Sequence, residues 1–175
     1  MYYVLKNDKA HGLGTFPLLP GKARVFQDDG RGSTAFLGED WMGFTPRDDE
    51  ARLYLGLAKD VVVKRTIESR NKIRVLGNLY NYDITIKYEI ENFKNKPVVL
   101  DLAESMSAVR AELVGANSRP VDWELVGDGT VNEMVDTEKS TADRPLFHLP
   151  LPARGPNDKA AKQVHRLHVI IKNEW

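Results

Sequence analysis

The sequence predicts an all-β protein, an antiparallel β-sandwich, and two observations lead to that prediction. A long stretch at 79–91, LYNYDITIKYEIE, places apolar or aromatic residues at even positions and polar residues at odd positions. Shorter segments with similar alternation recur along the chain, divided by clusters of Gly, Pro, Asn and Asp. Such alternation is typical of strands with one buried face. Because one sheet of so many strands would leave a face bare, we expect two packed sheets.

The alternating segments predict about nine to eleven strands. In chain order they are 1–6, 22–27, 33–38, 51–57, 60–68, 79–91, 97–104, 121–126, 145–150 and 166–172. The NFKNKP segment at 92–97 has turn chemistry, so we expect the strands before and after it to form an antiparallel hairpin. Residues 152–162, PARGPNDKAAK, are the most loop-like segment.

One segment departs from the alternation. In LAESMSAVRAEL, the apolar residues Leu102, Met106, Val109 and Leu113 recur at helical spacing, and Gly115 follows, which is typical of a helix end. Two interpretations are open for this segment. It forms one short helix near 103–113, or it is an irregular connection between strands.

Composition limits the classes of function. The 175 residues, 42% of them hydrophobic, are enough for a single β-sandwich domain over 1–175. The 25 basic residues balance 25 acidic ones, so no nucleic-acid partner is expected. Cysteine is absent, which excludes disulfides, thiolate catalysis and thiolate metal sites. No apolar run approaches the ~20 residues of a spanning helix, so no direct membrane span is expected.

The segment QDDGRGST at 27–34 has the residue types of a phosphate or cation loop. Gly30 and Gly32 are one residue apart with no lysine following, which does not match the spacing of a P-loop. With either glycine as the sixth residue of a calcium loop, the twelfth is not glutamate. We therefore predict a tight turn that joins two strands.

The histidines and carboxylates are weak candidates for chemistry. His165 and His168 are three residues apart on a predicted strand, so we expect His165 at the rim of the core face and His168 on the outer face. That placement argues against a shared metal ion. Paired carboxylates at 38–40 and 47–52 leave a glycoside hydrolase open as an alternative. We predict no catalytic, cofactor-binding or metal-binding residue, and no cofactor.

Two aromatic residues, Trp41 and Phe44, are the predicted contacts with a ligand or partner. They lie in GEDWMGFTP, which we interpret as a loop between strands. A large ring in such a loop is available to stack on a sugar or a protein. The alternative is that both rings fold under the loop and close one end of the sandwich.

Six blocks of the sequence resemble one family in order and spacing. They are LPGKARVF (19–26), FLGED (36–40), TPRDDEARLYLGLAKDVVVKR (45–65), KYEIENFKNKPVVLDLAE (87–104), DWEL (122–125) and HVIIKNEW (168–175). Together they are similar to the uncharacterised C-terminal domain, a domain of unknown function, of mucoidy inhibitor A-like proteins. The resemblance covers most of the chain. Two segments, 107–121 and 152–162, are longer than the resemblance implies, and a site peculiar to this protein would fit there.

The resemblance implies an all-β C-terminal domain of a longer parent protein, preceded by a β-rich N-terminal domain and often by an export signal. It implies no catalytic residues. We therefore expect a non-catalytic binding or architectural module of a bacterial cell-envelope or secreted protein, located in the periplasm, at the outer membrane or outside the cell. The expected partner is the parent's N-terminal domain or another envelope protein.

Two alternatives differ from this expectation in what they require. A carbohydrate-active hydrolase needs two facing carboxylates, at least one with a strongly raised pKa. A carbohydrate-binding module that uses an exposed Trp needs a flat aromatic platform facing solvent. An interaction module needs a contiguous apolar patch or a bare strand edge.

Overall fold

The computed structural model describes residues 1–28 and 32–175 and is mostly β, with 53% of residues in strands and 9% helical. All strand pairs are antiparallel in the described residues, so the all-β antiparallel prediction is confirmed. The centre of the turn predicted at 27–34 lies outside the described residues. The chain divides into two compact units, Met1–Lys59 and Asp60–Trp175, which we call unit 1 and unit 2. A single sandwich domain over 1–175 stays a prediction.

Ten strands and one α-helix occur in the described part of the chain. The strands are β1 (Tyr2–Lys6), β2 (Gly21–Asp28), β3 (Thr34–Met42), β4 (Glu50–Tyr54), β5 (Val61–Leu76), β6 (Leu79–Asn92), β7 (Val98–Ala103), β8 (Asp122–Leu125), β9 (Leu146–Leu151) and β10 (Ala161–Glu174). The helix is α1 (Met106–Val114), and short 3-10 turns occur at Lys9–His11 and Asn132–Met134.

Unit 1 consists of two two-stranded ribbons, β1–β4 and β2–β3, and of the loops between them. Its most buried polar residue is Asn7, whose side-chain amide donates to the carbonyl oxygens of Phe16 at 3.1 Å, Thr45 at 3.3 Å and Pro46 at 2.9 Å. The side-chain oxygen of Asn7, Oδ1, accepts from Gly14 N at 2.9 Å. A fully buried amide is stable only when its polar atoms are paired, so Asn7 holds two loop segments in place.

Unit 2 is organised around a four-stranded sheet in the order β5, β6, β10, β8. The central strand β6 pairs with both neighbours, so that Ile86 lies opposite Ile67 of β5 and Leu167 of β10. The even-numbered residues of β6 from Tyr82 to Ile90 are buried, as the alternation predicts. The same core includes buried residues of α1 and β9, which therefore cover this face of the sheet.

The hairpin predicted between 79–91 and 97–104 is wrong. Both edges of β6 are taken by long strands, β5 and β10, and the six-residue β7 pairs with β9 instead. At the end of β6, the Asn92 side chain donates to the carbonyl oxygens of Lys96, at 3.2 Å, and Pro152, at 2.8 Å. Turn chemistry between two strands fixes a change of direction, but it does not fix which strands pair.

The short helix predicted near 103–113 is confirmed as α1, and the alternative of an irregular connection is wrong. The helix begins at Met106, three residues after the predicted first residue. Ser105 Oγ accepts from Ala108 N at 3.3 Å and so caps this end of the helix. Met106, Val109 and Leu113 are buried in the core. The predicted loop at 152–162 is shorter than expected, since β10 begins at Ala161.

Candidate binding surface on the outer face of β2 and β3

Six side chains of unit 1 project from one side of the β2–β3 ribbon, and we call this side the outer face. The strand register pairs the residues two by two. The six residues are Lys22 with Trp41, Arg24 with Glu39, and Phe26 with Phe36. From the first pair to the last, the face is about 13 Å long at the usual rise of an extended strand.

A β-bulge makes this grouping of side chains. Phe36 and Trp41 are five residues apart, so regular alternation would place them on opposite sides of β3. The register shifts between Val25 and Phe26, where β3 contributes one extra residue. The shift restores Phe36 to the side that carries Trp41. The bulge therefore collects three aromatic rings on one side of a two-stranded ribbon.

The three rings of the outer face are exposed. Trp41 has 73% of its surface accessible, Phe36 has 56% and Phe26 has 55%. The Phe26 and Phe36 rings contact each other, with centroids 5.4 Å apart and planes tilted by 59°. Exposed clusters of aromatic rings are uncommon on the surfaces of monomeric soluble proteins. This cluster therefore marks a candidate interaction site.

Charged side chains separate Trp41 from the phenylalanine pair. Glu39 accepts from Lys22 Nζ at 2.9 Å and from Arg24 Nε at 3.1 Å. These two hydrogen bonds, the one from Lys22 above all, hold the pKa of Glu39 below its ordinary value. Lys22 Nζ also lies 6.0 Å from the centre of the Trp41 ring. With two basic groups and one acid, the outer face carries one net positive charge.

The other side of the ribbon faces the rest of unit 1. A side chain at Gly38 would meet Leu55 Cδ2 at 3.2 Å, so the two segments approach closely there. Asp40 Oδ2 accepts from Tyr54 N at 2.7 Å. One side of β2–β3 is therefore occupied by the unit's own chain, and the other side presents the aromatic rings to solvent.

Trp41 and Phe44, the two residues predicted from sequence, have different positions. Trp41 is part of β3 rather than of a loop, and Phe44 follows the strand, one residue before the bridge between Leu18 and Thr45. Phe44 is 58% exposed, so the alternative that both rings fold under the loop is wrong.

Sequence reasoning missed Phe26 and Phe36 as members of the site. Each was assigned to a strand, where an aromatic residue is ordinarily interpreted as core. The signal that was present is Gly38, because glycine within a strand often marks a bulge or a close backbone approach. It indicates that the alternation along β3 changes near this position.

The carboxylates at 38–40 and 47–52 do not have the properties of a catalytic pair. Asp49 Oδ1 accepts from Glu50 N at 2.7 Å, and Glu50 lies beside Arg52 at 3.5 Å. The carboxyl groups with a shifted pKa in the described residues all have lowered values, each because a basic neighbour donates a hydrogen bond: Asp8, Glu39, Glu68, Glu89 and Asp136. A general acid needs the opposite shift.

The histidines of β10 are placed as predicted. His165 lies opposite the core residue Tyr88, and burial lowers its pKa. His168 is on the other face, between Asp83, 2.7 Å from Nε2, and Asp128, which pairs with Nδ1. Because the two carboxylates lie on opposite ring nitrogens, they do not converge on one cation. Residues 1–28 and 32–175 contain no cluster of His, Asp and Glu able to hold a metal ion.

Comparisons with protein-family models, with curated proteins and with solved structures give no match. The resemblance to the C-terminal domain of mucoidy inhibitor A-like proteins therefore stays a prediction. Within the described residues, no helix has the length and apolar character needed to cross a bilayer.

Proposed function

We propose that this chain is a non-catalytic binding module whose outer face on β2 and β3 binds another protein. The observation that carries the proposal is the exposure of three aromatic rings on one side of a ribbon whose other side is occupied. Aromatic residues contribute most of the binding energy at many protein interfaces, and burying these rings would recover area now in contact with water.

The chemistry of the outer face indicates the kind of partner. The face combines apolar rings with one net positive charge from Lys22, Arg24 and Glu39. A complementary surface would offer an apolar groove for the phenylalanine pair and an acidic group near the two cations. The partner that we propose is a folded protein surface with these two features.

A carbohydrate-binding module is the weaker candidate. A sugar that stacks on several rings needs rings lying flat along one surface, whereas Phe26 and Phe36 are tilted by 59°. Trp41 is separated from them by the ion pairs of Glu39. Rings that are tilted and divided by charged groups suit a protein groove better than the flat face of a sugar.

Membership of the mucoidy inhibitor A-like C-terminal family is also part of this proposal, supported by the order of the six sequence blocks. On that basis the partner would be the N-terminal domain of a parent protein or another protein of a bacterial cell envelope. The order of the blocks supports family membership, whereas the exposed rings of the outer face support protein binding. Either proposal can therefore be wrong while the other holds.

The test compares proteins captured by the immobilised chain from cells that express it. The variants are Phe36→Ser and Trp41→Ser on the outer face, with Phe16→Ser as the matched control, since Phe16 is exposed but lies outside β2 and β3. We expect a protein that wild type and the control retain and that each outer-face variant binds at least about tenfold more weakly, as expected for interface aromatics.

Quantitative mass spectrometry of the captured proteins and a binding titration with the purified partner are the measurements. The proposal would be contradicted if all four proteins recovered the captured proteins equally. It would also be contradicted if no captured protein were lost selectively from the two outer-face variants. A glycan array probed with the same proteins tests the alternative of a carbohydrate-binding module. Glycan binding that depends on Trp41 would replace the protein partner by a carbohydrate.

A further inference from the structure

A pocket of about 260 Å³ lies within unit 2. Its walls are the first turns of α1 at Ser107 and Arg110, the segment 117–121 that follows the helix, and residues Ala142 and Asp143. The segment 107–121 is one of the two that are longer than the family resemblance implies. The size suits a molecule of a few heavy atoms.

The wall of the pocket contains a buried arginine with an incomplete set of hydrogen bonds. Arg110 is 1% exposed, and its guanidinium donates to Asn117 O at 2.9 Å and to Pro120 O at 3.5 Å. Its Nε is buried and has no hydrogen-bond partner among the residues that the structure describes. Because a buried charged donor without a partner is costly, the charge of Arg110 is only partly compensated by these hydrogen bonds.

A second arginine gives the same wall an excess of positive charge. Arg119 Nη2 lies 3.3 Å from Glu174 Oε2, and Arg110 Nη1 lies 3.8 Å from Glu174 Oε1. Two cations therefore share a single carboxylate. The guanidinium of Arg119 stacks on Trp175, with its central carbon 3.6 Å from the ring, which holds it in one orientation.

The lining also includes Asp143, an acid whose hydrogen bonds are nearly complete. Asp143 accepts from Ser107 N at 2.8 Å, from Ser107 Oγ at 2.9 Å and from Ser105 Oγ at 3.0 Å. An ionised carboxylate offers about four lone-pair positions, so about one remains. A ligand in the pocket would therefore meet two arginines and about one free acceptor position on Asp143.

We propose that this pocket binds a small monocarboxylate that also carries an amino or hydroxyl group. The carboxylate would accept from the arginine wall, whose planar guanidinium groups match carboxylate geometry. The amino or hydroxyl group would donate to Asp143. A doubly charged phosphate fits less well, because the wall has one excess positive charge and Asp143 repels a second negative charge.

The test is an NMR titration of the whole chain with L-alanine, L-lactate, acetate, inorganic phosphate and ethylammonium. We expect saturable shifts of the amide signals of 117–121 and of Asp143 with L-alanine or L-lactate, weaker binding of acetate and phosphate, and no binding of ethylammonium. Arg119→Gln should lower the affinity about tenfold or more, the effect of losing a charged hydrogen bond.

Two further variants make the result decisive. Arg74→Gln is the matched control, since Arg74 donates to Gly77 O at 2.8 Å at the end of β5 and does not line the pocket. Ser118→Leu fills the pocket without removing a charge and should also abolish binding, even if Arg119→Gln proves unstable. Absence of saturable shifts with both L-alanine and L-lactate, unchanged affinity in Ser118→Leu, or tighter binding of phosphate than of both would overturn the proposal.

Discussion

Unit 1 and unit 2 bury their apolar residues to very different extents. Unit 2 has a cluster of fifteen buried hydrophobic residues from the sheet, α1 and neighbouring segments. In the described part of unit 1, the buried hydrophobic residues are Ala51 and Leu53, and the most buried residue is the polar Asn7. Unit 2 is therefore held by apolar packing. Unit 1 depends more on hydrogen bonds, and its large rings stay in contact with water, as expected of a surface that a partner covers.

The largest expected effect comes from removing the same side chain in each unit. Phe147→Ala in the core of unit 2 should lower the free energy of unfolding by about 3–5 kcal/mol, because it leaves a cavity. Phe36→Ala on the outer face should change it by less than about 1 kcal/mol, since the ring is exposed. Urea unfolding of both variants measures the difference. Equal losses would show that the outer face is packed like a core.

A smaller effect is expected from Asn7, which carries the hydrogen bonds of unit 1. Asn7→Ala leaves Gly14 N and several carbonyl oxygens without their partner, which should destabilise unit 1 by about 2–3 kcal/mol. Hydrogen exchange at the Gly14 amide is the measurement, and Asn71→Ala on the exposed part of β5 is the matched control. Exchange that is unchanged in Asn7→Ala would mean that other contacts hold these loops.

The smallest expected effect is a dependence of stability on pH in unit 2. Burial alone would lower the pKa of His168, but hydrogen bonds to Asp128 and Asp83 outweigh it, and the pKa is raised. For a histidine with a raised pKa, the stabilisation is complete below the unfolded value of about 6.5 and is lost as pH rises through the folded value. The free energy of unfolding should therefore decrease above neutral pH.

His148 should add to the same decrease, because hydrogen bonds to Asp136 and Asp101 raise its pKa as well. His165 is the internal contrast, because burial lowers its pKa. Protonation of His165 therefore lowers the free energy of unfolding as pH falls below the unfolded value of about 6.5. An NMR titration should find His148 and His168 titrating above about 6.5 and His165 below it. Asp83→Asn should move the His168 titration downward, and an unchanged His168 would contradict the assigned pairing.

Sequence reasoning succeeded where structure depends on local pattern. The alternation along 79–91 identified the buried side chains of β6, and the spacing of Met106, Val109 and Leu113 identified the buried face of α1. Period-two and helical spacings are properties of neighbouring residues, so they are visible without knowing the fold.

It failed where the outcome depends on distant residues. The pairing of β6 with β5 and β10 is set by competition among strands, which no turn signal reveals. The bulge that places Phe36 beside Trp41 arises from the pairing of β2 with β3. Arg110 is buried on the same face as the apolar residues of α1, and Glu174, far along the chain, lies 3.8 Å from its Nη1. The spacing within α1 does not reveal the distant carboxylate that faces this buried charge.

The most direct test of the central claim, that the outer face is a free binding surface, uses the indole N–H signals of the wild-type chain. Trp41 is exposed, whereas Trp123 Nε1 donates to Ala142 O at 2.6 Å. Because Trp123 is also half-buried, a soluble paramagnetic probe should broaden the Trp41 signal, identified with Trp41→Phe, more than that of Trp123. A Trp41 indole as protected from the probe as Trp123 would contradict the account.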